Sequence, residues 1–399
     1  MSRLRELADL EPLAGRVVLM RVDYNVPLHP DGTVADDSRI RESLDTIHAL
    51  RAAQARVVLL SHFGRPKGVR RPEMSLRPVL PVLSGLLGEE VVFGEDCIGD
   101  PAAAAIAEGA GVTLLENLRF HAGEERDDPD FARALAALGD SYVNDAFSVS
   151  HRAHASVHAL AGLLPAAAGL ALAREVEALE RVLGAPERPL AALVGGAKIS
   201  TKIPVIENLL GKVDHLLIGG AMANTFLKAE GRPVGRSLVE DDQLETARRI
   251  LAEATKRGVA VHLPEEVVVA PALDAGDEAG IKPVDEVDAE DMILDFAPAT
   301  VEVFLAVLAK AKSFVWNGPL GAFEHPPFDR GTVAFARGVA RLTAERGLVS
   351  VAGGGDTLAA LNHAGVRDRL THVSTAGGAF LEWLEGRTLP GIAVLLTDS

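Results

Sequence analysis

Four short runs of this sequence place arginine or histidine beside a carboxylate or amide just after an apolar stretch. They are Arg21-Val22-Asp23-Tyr24-Asn25-Val26-Pro27, Ser61-His62-Phe63-Gly64-Arg65-Pro66, Glu116-Asn117-Leu118-Arg119-Phe120, and Asn144-Asp145-Ala146-Phe147 with His151-Arg152-Ala153-His154 behind it. Arg39 follows the first run closely. Open α/β sheets bind ligands outside the carboxyl ends of their strands. Gathered at one such edge, these side chains would make an anion site, because the guanidinium fork matches phosphate and carboxylate. Any one of them alone is an ordinary solvated arginine or structural histidine; their recurrence carries the reading. Residues 1–170 hold sixteen arginines and one lysine, Lys67. Codon bias would produce the same excess, so individual positions decide the matter.

The second half changes its chemistry. Apolar runs there pass into Gly195-Gly196-Ala197-Lys198-Ile199-Ser200-Thr201-Lys202, Gly219-Gly220-Ala221, Gly353-Gly354-Gly355-Asp356-Thr357 and Thr375-Ala376-Gly377-Gly378. Glycine at a strand-to-helix turn lets a phosphate approach backbone N–H groups, and a helix N-terminus favours anions. Lys198 and Lys202 have the spacing of one helical face. Asp356 opens a helix, where a carboxylate caps or holds magnesium. One glycine turn is only tight-turn chemistry, but four of them with two lysines and an aspartate point to a nucleotide. The fingerprints G-x-x-x-x-G-K-[ST] and G-x-G-x-x-G do not occur. Nor does a Ser/His/Asp arrangement or a cysteine-rich metal cluster. His151-x-x-His154 has metal-ligand spacing, but Arg152 between them would repel a cation.

The elements that must position these residues are short apolar runs alternating with helical patterns. The runs are 16–22, 56–60, 91–93, 112–115 and 141–143, then 190–194, 215–218, 260–263, 292–296, 313–315, 348–351 and 371–374. Continuous apolar strands between helices indicate parallel sheets covered on both faces. The fold class is α/β, and 399 residues with so many strands divide best into two doubly wound, Rossmann-like domains with a cleft between them. A helix over 170–184 joins a domain of 1–169 to one of 185–380, since Leu170–Leu183 shows helical spacing between Pro165 and the Gly184, Pro186, Pro189 cluster. With 4% aromatic residues, the cores must be largely Ala, Val, Leu and Ile. A net charge of −16 argues against a nucleic-acid partner. The single cysteine, Cys97, excludes an internal disulfide, and the charged N-terminus lacks a signal-peptide core. The uncharged stretch 153–173 holds histidines, a proline and glycines, and reads as a buried connector, not a membrane span. A cytoplasmic protein is expected.

Taken together, the motifs resemble those of the phosphoglycerate kinases. They are RVDYNVP (21–27), SHFGRP (61–66), ENLRFHAGEE (116–125), VNDAF (143–147), HRAHAS (151–156), GGAKISTK (195–202), GGAMANTFLKAEG (219–231), WNGPLGAFE (316–324) and GGGDT (353–357). The resemblance runs in order over nearly the whole chain. It implies a monomer that binds 3-phosphoglycerate or 1,3-bisphosphoglycerate through Asp23, Tyr24, Asn25, Arg39, His62, Phe63, Gly64, Arg65, Arg119 and Arg152. It implies ADP or ATP, as the Mg2+ complex, at Lys198, Lys202, Gly219, Asn317, Pro319, Glu324, Gly353, Gly354, Gly355, Asp356 and Thr357, with Glu324 on the ribose and Asp356 on magnesium. Arg39, Lys198, Gly377 and Gly378 would face the transferring phosphoryl group. Residues 381–399 would return to the first domain.

The chain departs from the family pattern at Ser148 and Ala376, where glycine is common, at Asp295-Phe296-Ala297-Pro298, and at Glu266. The Ala376 methyl would narrow the approach to the transferring phosphate. No charged catalytic residue is lost. Both possible nucleophiles, a phosphate oxygen of ADP and a carboxylate, are ionised at pH 7, so no general base is needed. The expected mechanism is domain closure and in-line transfer, with the connecting helix flexing at its ends. A kinase of another small carboxylate would keep the glycine loops and change the Arg/His set. A non-catalytic binding protein would have lost Arg39, Lys198 or Asp356.

Overall fold

The computed structural model describes residues 3–109 and 111–397. It divides into two compact units, Met1–Val176 with Thr388–Ser399, and Glu177–Arg387.

In the first unit six strands form one parallel sheet: β1 (Val17–Arg21), β2 (Arg56–Leu60), β3 (Val91–Gly94), β4 (Val112–Leu115), β5 (Ser141–Asn144) and β6 (Ala166–Ala168). Their order is β3-β4-β2-β1-β5-β6. The direction of winding changes between β1 and β5, where a binding crevice opens in such sheets. Val18, Met20, Ile40, Ile47, Val57, Leu59, Leu83 and Leu114 belong to one buried cluster. The uncharged stretch noted above supplies β6, whose three alanines are buried. Among the described residues no helix is long and apolar enough to cross a membrane.

In the second unit the parallel sheet comprises β7 (Leu190–Val194), β8 (His215–Ile218), β9 (Ala260–His262), β13 (Ser313–Asn317), β14 (Val349–Gly353) and β15 (His372–Ser374). Its order, β15-β14-β13-β7-β8-β9, reverses between β7 and β13. A separate antiparallel sheet is made by β10 (Glu266–Ala270), β11 (Gly280–Pro283) and β12 (Met292–Phe296). The run 292–296, expected among the parallel strands, is therefore β12 of this smaller sheet. The scarce aromatics are also less dispersed than composition suggests. Phe304, Phe314, Trp316 and Phe335 pack together against β13, with Trp316 and Phe335 edge-to-face at 5.0 Å.

The chain crosses between the units twice. Helix Leu170–Leu179 continues as a π-helical turn, Glu180–Gly184, so the expected 170–184 helix is not α-helical to its end. Its start is fixed on the first unit: Asp145 Oδ1 accepts from Ala171 N at 2.8 Å and Leu172 N at 3.2 Å, and Thr46 Oγ1 accepts from Leu170 N. The return begins at Thr388 and not at 381, because helix Gly377–Leu384 buries Phe380 and Leu384 within the second unit. The returning segment is held on the first unit by Asn144 Nδ2 to Gly391 O, 3.1 Å, and Arg5 N to Leu395 O, 2.9 Å.

Candidate active site

Beyond the end of β1 burial alternates: Val22, Tyr24 and Val26 are buried, while Asp23 and Asn25 are partly exposed, and Val26 N donates to Tyr24 O in a tight turn at Asn25. Asp23 Oδ2 accepts from Arg39 Nη1 at 2.8 Å and from Ser148 Oγ at 2.5 Å. Asn25 Oδ1 accepts from Gly64 N at 2.9 Å, which ties the loop after β2 to the loop after β1. Tyr24, expected among the substrate ligands, turns inward instead. Its hydroxyl meets Ser43 Oγ at 2.8 Å in the core, and burial pushes its pKa up. Phe63 packs partly against the same core and contributes its backbone, tied to Asn117 by Phe63 N→Asn117 Oδ1 at 3.1 Å and Asn117 Nδ2→Phe63 O at 2.7 Å.

Around this frame the cations converge. Arg21 is fully buried and bonds Ser156 Oγ, its neighbour's carbonyl at Val22, and His62 Nδ1 at 3.1 Å. Arg119 is 3% exposed and donates from Nη1 to Gly64 O at 2.7 Å. Its Nε and Nη2 are buried with no hydrogen-bond partner in the protein, although Glu125 lies 3.3 Å from Nε, out of hydrogen-bond alignment. Burial, with Arg21 and Arg152 nearby, outweighs the Glu125 attraction and lowers the Arg119 pKa to about 10. His62 is held neutral first by burial and then by Arg21, Arg119 and Arg152; His154 falls to about 4 for the same reasons. A nearby anion would offset the repulsion among these cations, though not their burial, so the cluster is set for a ligand that brings negative charge. Arg65 stands exposed at the loop tip, and Arg152 is half-buried. Sequence reasoning quoted Arg21 within its motif but assigned it no role. The signal was an arginine closing the otherwise apolar strand VVLMR, since arginine is rarely fully buried without partners.

In the second unit the glycine turns surround the β7/β13 crevice. A side chain at Gly195 would strike Pro319 O, and one at Gly353 the Phe380 ring, so these glycines permit close backbone packing. Lys202 Nζ donates to Asn317 Oδ1 at 2.6 Å, and Asn317 Nδ2 to Gly353 O at 2.7 Å. Thr357 Oγ1 accepts from Gly318 N at 2.7 Å. Burial lowers the Lys202 pKa, against the opposing pull of Asp356 and Glu385. Two joined hollows result. One, of about 400 Å3, is lined by Gly195–Lys198, Thr201, Lys202, Asn317, Gly318 and Gly354–Thr357. The other, of about 520 Å3, is mostly apolar, with Leu238, Leu273, Met292–Phe296 and Pro319–Ala322 on its walls and Glu324 at its rim. Gly196, Ala197 and Asp356 line both. Gly219 lies behind Leu320 and Pro319, where a Cβ would come within 3.1 Å of each. Gly377 and Gly378 begin a helix next to β15. Ala376 is 2% exposed, and its N–H donates to Ser374 Oγ at 3.2 Å. Sequence reasoning missed the apolar walls at Leu238, Leu273 and Met292, which carry no motif.

The arrangement thus offers an anion-ready arginine cluster on one unit, and on the other a polar glycine groove opening into an apolar slot. The phosphoglycerate kinase family model matches residues 7–387. The chain belongs to the phosphoglycerate kinase family. It is 55% identical over 397 residues to the phosphoglycerate kinase of Methylorubrum extorquens strain PA1, covering 99% of each chain. With that of Caulobacter vibrioides strain NA1000 / CB15N it shares 54% over 390 residues, 97% of this chain and 98% of the other. The structure of phosphoglycerate kinase from Coxiella burnetii superposes with a TM-score of 0.91 at 42% identity, covering 98% of this chain and 99% of that one. The enzyme from Pyrococcus horikoshii OT3 gives 0.81 at 31%, covering 98% of each. The reaction of the family is that of this chain: reversible phosphoryl transfer between 1,3-bisphosphoglycerate and ADP, giving 3-phosphoglycerate and ATP.

Proposed function

We propose that the first unit holds the phosphoglycerate and the second the nucleotide, so that transfer requires the units to approach. The observation that carries this is Arg119: a guanidinium buried among Arg21, Arg152 and His62, whose Nη2 has no hydrogen-bond partner and whose Nε meets only the partly exposed Glu125 carboxylate, out of hydrogen-bond alignment. Such donors recover their desolvation cost only on an oxyanion. Arg65, Arg119 and Arg152 take the phosphate end, and Asp23 and Asn25 meet the hydroxyl and carboxyl end. His62, neutral in the ligand-free protein, stands at the same edge, hydrogen-bonded to Arg21. In the second unit the base enters the apolar slot, Glu324 accepts from the ribose hydroxyls, and the phosphates lie along Lys202 and the helix N-terminus at Gly355.

Asp356 is exposed at the junction of both hollows, in the first turn of its helix. One carboxylate beside a phosphate groove suits Mg2+, which keeps waters and binds through few protein ligands. Bound there, the ion would neutralise nucleotide phosphate charge. The chain's own work is alignment and charge stabilisation. Arg39 and Lys198, with the N–H groups of Gly377 and Gly378, face the group in flight, and no base is required. Arg39 is parked on Asp23 and Asn25 O, 2.8 and 3.1 Å away, and must exchange these partners to act. The ends of helix Leu170–Leu179 and its π-helical continuation absorb the motion. The family resemblance favours a monomer working in the cytoplasm, and the net charge of −16 argues against a nucleic-acid partner. A coupled assay with MgATP and 3-phosphoglycerate, run in both directions, tests the proposal; folded protein without phosphoglycerate-dependent turnover sinks it.

A further inference from the structure

Apart from the arginine cluster, three side chains of different ligand chemistry meet in the first unit. They are the Asp96 carboxylate, the Cys97 thiol and the His121 imidazole, with their ligand atoms all within 4.8 Å of one another. Two separate segments supply them. Asp96 and Cys97 precede helix Gly99–Glu108, and His121 follows the turn Leu118–Phe120. His121 Nε2 lies 2.6 Å from Asp96 Oδ1, and Cys97 N donates to the same oxygen at 2.7 Å. Phe131 stacks on the His121 ring at 5.2 Å and fixes its plane. Among the described residues no other group of three His, Cys, Asp or Glu side chains meets this spacing.

A hydrogen-bonded Asp–His pair is a common structural feature and needs no ion. It does not account for a thiol at the third corner. Cys97 is fully buried, whereas the side chains of Asp96 and His121 are 32% and 29% exposed. The soft ligand is thus innermost, and the two outer ligands give an entry path. We propose that Asp96, Cys97 and His121 form a binding site for a borderline-soft divalent cation of the Zn2+ class. Tetrahedral zinc takes thiolate at about 2.3 Å and imidazole or carboxylate at about 2.0–2.2 Å, which sets ligand atoms roughly 3.2–3.7 Å apart. The Asp96–His121 pair, 2.6 Å apart, must open by roughly 0.6–1 Å, and the thiol, within 4.8 Å of both, need close by no more than about 1.3 Å. Cys97 gives its proton to water as the sulfur–metal bond forms, and no electron changes hands. Water takes the fourth position on the exposed side. Mg2+ does not compete, because it demands octahedral oxygen ligands. The site lies in the unit that does not carry Asp356, so the two cations are separable.

The test uses the full-length, nucleotide-free protein titrated with Co2+, reading the thiolate-to-cobalt charge-transfer absorption. The expected result is a band that saturates at one ion per chain and is displaced by Zn2+ but not by Mg2+. Cys97→Ser abolishes the band while leaving kinase turnover intact. His121→Gln and Asp96→Asn, at partly exposed positions, each weaken cobalt binding roughly tenfold or more. Should Cys97→Ser fail to fold, these two variants decide alone. Absence of the band at millimolar Co2+, or a band whose midpoint is unmoved in both outer-ligand variants, overturns the proposal.

Discussion

Gly377 separates what the fold needs from what the reaction needs. Its backbone is not in the left-handed region, and a Cβ built on it would meet nothing within 4 Å. It is also the first residue of helix Gly377–Leu384. On structural grounds alone Gly377→Ala should therefore stabilise the protein, by about 0.4–1 kcal/mol, through the lost freedom of the unfolded chain. That corresponds to a rise of about 1–4 °C in the second unit's unfolding temperature. If the phosphoryl group in flight approaches this N-terminus, the same methyl stands in its way. A displacement near 1 Å costs about 10²-fold in rate, or about 2.7 kcal/mol of barrier. Stability and activity should thus move in opposite directions. The coupled assay with 3-phosphoglycerate and MgATP gives kcat and KM, and thermal unfolding by circular dichroism gives stability. A variant with unchanged kcat refutes the placement of Gly377 at the reacting group. One that is less stable refutes the claim that the protein itself has no use for the glycine.

Arg39→Ala should lower kcat by about 10²–10³ with a much smaller change in KM, because its interaction is made with charge developing in the transition state. Arg65→Ala should chiefly raise KM for phosphoglycerate; steady-state kinetics of both variants distinguishes the roles. Ser148→Gly removes the hydroxyl that donates to Asp23 at 2.5 Å, and should raise KM for phosphoglycerate several-fold while sparing KM for MgATP. An unchanged KM would make Ser148 a bystander. His154 supplies a pH test. Between about 4, where it titrates in the folded protein, and the ordinary 6.5, the unfolded chain binds a proton that the folded one does not. Stability contributed by this residue is therefore present above pH 6.5 and lost as pH falls toward 4. The loss is at most about 3 kcal/mol, and about 1–2 kcal/mol after allowance for the solvent that reaches the ring. His154→Gln should flatten urea midpoints between pH 7.5 and 5 relative to the parent.

The candidate site was legible because chemistry-bearing residues sit where apolar runs stop. Strands Arg56–Leu60, Val112–Leu115, Leu190–Val194 and His215–Ile218 begin and end where the apolar pattern does, and each is followed by its motif. What escaped detection lacked a local signal. Ala166–Ala168 is a strand of residues with weak β preference, made extended by pairing with Tyr142–Asn144. Glu266–Ala270 is the exception, since Val267-Val268-Val269 is an apolar β-branched run that sequence reasoning passed over; only its antiparallel pairing with Gly280–Pro283 and Met292–Phe296 was hidden. Tyr24 is a different case, because its orientation was written in the sequence. In Val22-Asp23-Tyr24-Asn25-Val26 polar and apolar residues alternate, and an extended chain sends alternate side chains to opposite faces. If Asp23 and Asn25 face a ligand, Tyr24 must face the core, where its hydroxyl finds Ser43. The same rule applied backward places Arg21 on the side of Asp23, but Arg21 is fully buried there and supports the loops. Arg21 accordingly reaches His62 and Ser156, and Glu124 accepts from that serine through Oε1 at 2.6 Å. Alternation beyond the last strand residue thus separates Asp23 and Asn25, partly open to a ligand, from Tyr24, turned into the core, a distinction that matching the motif as a whole does not make.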